Sequence, residues 1–134
     1  MKRIISAVMC IVLLMAGASV ASAAGDNGIY QYEIDGVEYT VEFENKDIAP
    51  DTMEALAQDL VGLRDESVQT YGLGCILFGH DWVTEVTYVT QHKVRAASPR
   101  CNKLTYEITY CEDCDETKEQ VLVSTTRIYC CAED

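Results

Sequence analysis

Cys75, His80, His92, Cys101, Cys111, Cys114, Cys130 and Cys131 all fall in the second half of the chain. They are the side chains that can cross-link, hold a metal or attack a disulfide. In an exported chain, cysteines at such density read first as disulfides. An even set lets all six pair. A bridge between the neighbours Cys130 and Cys131 would strain the bond, so the tail is expected to tie to two places, with Cys101 and Cys75 as partners. Each bridge would contribute about 2–4 kcal/mol. The second half has few large aliphatic side chains, so the need for such staples is real.

A metal site is the alternative. Cys111-Glu112-Asp113-Cys114 is a C-x2-C at an expected turn between strands, which aims both sulfurs into one tetrahedron. His80 and His92 would complete the set, leaving four cysteines for two bridges. Cys75, four residues before His80, is a substitute ligand, but using it orphans one cysteine. In outline the knuckle and Cys75-x4-His80 resemble a zinc ribbon. The resemblance covers those residues only, because the second C-x2-C of that pattern is absent. It implies a structural zinc. An oxidising export route works against loading such a site.

Thiol–disulfide catalysis by the same C-x-x-C is a third reading. A reactive thiolate wants positive charge or a helix N-terminus. Here Glu112, Asp113, Asp115 and Glu116 flank the pair and are expected to raise the thiol pKa. The same carboxylates attract a cation, but lack the spacing of a calcium loop. His80-Asp81 on an extended segment would point to opposite faces, which spoils a Cys75/His80 nucleophilic pair. The chain has no Gly-rich phosphate loop, no G-x-S-x-G elbow and no H-E-x-x-H. A non-enzymatic protein is expected.

These residues need a compartment and a scaffold. Lys2 and Arg3 precede an apolar run, and Ala21-Ser22-Ala23 supplies small residues for a signal peptidase. The run is too short to span a bilayer. The expectation is a secretory signal peptide over 1–23, cleaved after Ala23, with Cys10 leaving with it. The mature domain is then 24–134, secreted or otherwise extracytoplasmic, and not held to a membrane. Loss of Lys2 and Arg3 would take the net charge of −12 to −14. Such an acid excess argues against nucleic acid and favours a protein partner of basic character.

Tyr30, Tyr32 and Ile34, then Val37, Tyr39, Val41 and Phe43, alternate with polar residues around Asp35-Gly36. That is a type I′ hairpin pairing Ile34 with Val37 and Tyr32 with Tyr39. Met53, Leu56, Ala57, Leu60 and Val61 form one helical stripe that starts at Pro50 and stops at Gly62. From Trp82 onward, Thr, Val and Tyr favour strands over 82–94, 104–111 and 120–130. The eight tyrosines read as sheet packing rather than as a binding face.

The expected fold is a small single α+β domain. Its first part, 24–62, is a hairpin and one amphipathic helix. Its second, 75–134, is a cysteine-rich three-stranded antiparallel meander. The function that fits is an acidic exported binding module stapled by up to three disulfides and needing no cofactor. The alternatives are a domain with a structural zinc, and a thiol–disulfide redox protein.

Overall fold

In the computed structural model, residues 27–64 and 73–131 are described. The expected leader over 1–23 and the cleavage point after Ala23 lie outside them, as does most of the connector before Cys75.

The hairpin pairs β1 (Ile29–Ile34) with β2 (Val37–Phe43). Asp35 and Gly36 carry φ of 53° and 79°, the left-handed pair that a type I′ turn requires. Ile34 faces Val37, Tyr32 faces Tyr39 and Tyr30 faces Val41. This register puts Tyr30, Tyr32, Val41 and Phe43 on one buried face.

Helix α1 (Pro50–Leu60) covers that face. Its stripe of Met53, Leu56 and Ala57 packs with the four hairpin residues into the core. Gly62, at φ 76°, takes the left-handed turn that ends the helix without a Cβ penalty.

Three long strands follow: β3 (Trp82–His92), β4 (Cys101–Cys111) and β5 (Thr117–Ile128). Each antiparallel pair is in continuous register, β4 against β5 with two irregularities. Leu104, Tyr106, Ile108 and Tyr110 of β4 lie on the core side. On β3 the core side is Val83 and Val89, not the parity of Trp82, Val86 and Tyr88. Both parities of β3 carry apolar residues, so the strand's own pattern does not settle its facing. The partner β2 does, by placing Val41 opposite Val89.

The fold expectation needs correction. The hairpin is not set apart from a three-stranded meander, and there are two helices rather than one. All five strands join one antiparallel sheet in the order β1-β2-β3-β4-β5, accompanied by only two short helices. The join is β2 against β3, from Glu38 with His92 to Phe43 with Thr87. The physical reason is the free edge of β2. A hairpin uses one edge of each strand, and β2's other edge gains a ladder by pairing with β3. The second helix, α2 (Leu73–Phe78), is short, and Cys75 is its buried residue.

Candidate metal centres

Strand length and register create two clusters. β3 and β4 are each 11 residues and pair end to end, Trp82 opposite Cys111 and Gln91 opposite Asn102. Each end of the β3–β4–β5 meander therefore gathers one histidine near an end of β3 and one terminal cysteine of β4. The remaining cysteines come from α2, the β4–β5 turn and the chain following β5.

At the first end stand Cys75, His80, Cys111 and Cys114, with one ligand atom of each within 4.8 Å of the others. The three cysteines are buried against Trp82. Cys75 Sγ is 3.6 Å from Cys111 Sγ, and Cys114 Sγ is 3.4 Å from His80 Nδ1. Zinc–sulfur bonds of about 2.3 Å and zinc–nitrogen bonds of about 2.0 Å at tetrahedral angles imply S···S edges of about 3.8 Å and S···N edges of about 3.5 Å. The observed separations match those edges, and they are too long for a sulfur–sulfur bond.

The β4–β5 turn is the knuckle. Asp115, at φ 57°, donates its N–H to the Cys111 carbonyl, and Cys111 N–H donates to the Glu116 carbonyl. Helix α1 braces this turn: Thr52 Oγ1 donates to Asp115 Oδ1, 2.8 Å away. Arg64 Nη1 donates to the Asp115 carbonyl at the same distance. The histidine is oriented too. With Nδ1 turned to the sulfurs, His80 Nε2 lies 3.2 Å from Glu116 Oε2. Beyond this contact the buried oxygen has no hydrogen-bond partner. A carboxylate behind the far ring nitrogen is the usual support for a metal-binding imidazole. Trp82 stacks on His80, with ring centroids 4.6 Å apart.

Burial pushes the Cys111 thiol up, yet backbone N–H groups of the knuckle and the His80 ring bring it down to about 6. Burial and its bonds to Cys114 and Cys111 push Cys75 up to about 12. The acidic neighbours are expected to raise this thiol; at Cys111 the backbone hydrogen bonds and His80 prevail, while Glu112 and Asp113 stay exposed. Cys111 thus has the acidity of a nucleophile, but at 0 % exposure it lacks the access.

At the other end stand His92, Cys101, Cys130 and Cys131, again with ligand atoms within 4.8 Å. Cys101 and Cys130 are at disulfide distance. Cys131 Sγ lies 3.6 Å from Cys101 Sγ and 3.7 Å from Cys130 Sγ. His92 Nδ1 is 3.2 Å from Cys130 Sγ and 3.5 Å from Cys131 Sγ. Its Nε2 is 2.8 Å from Thr40 Oγ1 on β2.

The set Cys111, Cys114, His80 and His92 is therefore divided, and the substitute ligand Cys75 completes the first group. The signal was present in the sequence. An extended strand rises about 3.3 Å per residue, so His80, just before the 11-residue β3, and His92, its last residue, sit roughly 30 Å or more apart. The tail does not tie to two places: Cys130 and Cys131 both lie beside Cys101, whereas Cys75 is at the far end. The C-x2-C stands at the turn between β4 and β5, and α2 and the approach to β3 supply the other two residues of its group.

No protein-family model, curated protein or solved structure matches the chain. Among the described residues no helix is long and apolar enough to cross a membrane.

Proposed function

We propose that the mature chain is an exported, non-catalytic binding module whose sheet end is locked by a structural zinc on Cys75, His80, Cys111 and Cys114. One observation carries the reading. Three buried thiols and an oriented imidazole converge within 4.8 Å of one another with no bridge among them, and the Cys75–Cys111 and Cys114–His80 separations are those of tetrahedral edges. Four protein ligands leave no open position for a substrate, which favours a structural ion over a catalytic one. The staple joins four separate pieces: α2, the approach to β3, the end of β4 and the knuckle. The partner proposed is a basic protein, on the strength of the acid excess.

The test is zinc content by native mass spectrometry of the secreted chain, purified without chelator, beside Cys114→Ser. Trp82 is the only tryptophan and stacks on His80, so its fluorescence reports this site. The expected result is zinc in the parent, one ion fewer in the variant, and a Trp82 response on reloading the stripped parent. A parent whose Cys75, Cys111 and Cys114 are bridged and whose Trp82 ignores zinc contradicts the reading.

A further inference from the structure

We infer that His92, Cys101, Cys130 and Cys131 form a second, redox-gated zinc site, in which Cys101 and Cys130 alternate between holding the ion and bridging each other. This goes beyond the structural zinc proposed above and rests on different residues. Four separations in the cluster, 3.6, 3.7, 3.2 and 3.5 Å, lie near the edges of a Cys3His tetrahedron. A cluster serving only one disulfide would need neither Cys131 nor His92 beside it. His92 is held as a ligand would be, with Nδ1 facing the sulfurs and Nε2 on Thr40 Oγ1. The disulfide-distance pair is drawn from the same four ligands. Its two sulfurs cannot keep a metal as thiolates while bonded to each other.

The step balances with a small disulfide as oxidant. The Cys130 thiolate attacks one sulfur of the oxidant and releases the first small thiolate. The Cys101 thiolate then attacks Cys130 in the mixed disulfide and releases the second. Two protein thiolates have lost two electrons, the oxidant has become two thiolates, and Zn2+ departs because only Cys131 and His92 remain to hold it. Access explains why this end is gated. Cys130 is exposed, whereas Cys75, Cys111 and Cys114 are buried. A chain that leaves a reducing compartment for an oxidising one would keep its first zinc and exchange its second for a bridge.

The experiment uses the mature chain, reduced and zinc-loaded, followed by native mass spectrometry before and after oxidised glutathione. Trp82 fluorescence follows the first site alongside. Two zinc ions are expected in the reduced protein. After oxidation one is expected, with a Cys101–Cys130 bridge and an unchanged Trp82 signal. Cys131→Ser should hold one zinc in the reduced state and still form the bridge. One zinc in the reduced parent, with Trp82 responding to it, overturns the second site and leaves the first standing. Two zinc ions retained after oxidation overturn the gating. Two in reduced Cys131→Ser overturn the ligand assignment. A reduced parent that binds no zinc overturns both sites.

Discussion

Glu116 and Thr40 do the same work at opposite ends of the sheet: each puts an oxygen behind the Nε2 of a histidine whose Nδ1 faces sulfur. Removing such a support typically weakens metal binding by about 10–100-fold. Glu116→Ala should therefore lower zinc affinity at the first site by that factor, read from competition with a chromogenic chelator through Trp82. An unchanged affinity would make the carboxylate a bystander. Thr87 gives a prediction of the opposite sign. It is fully buried where β3 meets β2, and its hydroxyl has no hydrogen-bond partner. Thr87→Val removes that burden and should stabilise the fold by about 1–2 kcal/mol in denaturant melts. At this scale the sequence was readable where chemistry is local. Cys111 and Cys114 declare their turn by spacing alone, and Asp35-Gly36 declares the hairpin. That Cys75 takes the place expected of His92 was not readable, because its position depends on a helix that the sequence pattern did not suggest.

Helix α2 is the element that the proposed zinc would anchor most directly. Cys75 is its buried residue, while Leu73, Ile76, Leu77 and Phe78 are 64–89 % exposed. Apolar side chains in water do not hold a six-residue helix in place, and a helix this short is marginal on its own. Stripping the first zinc should release it. Limited proteolysis is the check: zinc-loaded protein should resist cleavage around 73–79, and stripped protein should be cut there first. Equal cleavage in both states would show that α2 is anchored by something else. Strands β1 and β2 need no such staple, since their register follows from a two-residue turn and a buried face. The helix stripe of Met53, Leu56 and Ala57 was legible for the same reason: one period and one face. The facing of β3 was not, since apolar residues sit on both its parities and the choice belongs to β2 and α1.

The continuous sheet makes the molecule one mechanical unit. The core residues of the hairpin and those of β3 and β4 form a single cluster. Phe43, fully buried on β2, lies across the ladder from Thr87 of β3. Phe43→Ala should cost about 3–5 kcal/mol. It should also move the melting midpoint of Trp82 fluorescence together with that of far-ultraviolet circular dichroism. A Trp82 midpoint that stays put would mean that the hairpin and meander unfold separately. The join was hidden from sequence reading because β2 and β3 are separated by two helices, and a pairing so distant leaves no local periodicity. Strand lengths could be read, and they already imply that His80 and His92 cannot share an ion.

The central claim is a tetrahedral shell of three sulfurs and one nitrogen. X-ray absorption at the zinc edge of the reduced, loaded protein tests it most directly, because both centres have the same ligand types. The prediction is three sulfurs at about 2.3 Å and one nitrogen at about 2.0 Å per zinc. A shell of oxygen and nitrogen without sulfur would contradict it, and so would a reduced protein that retains no zinc at all.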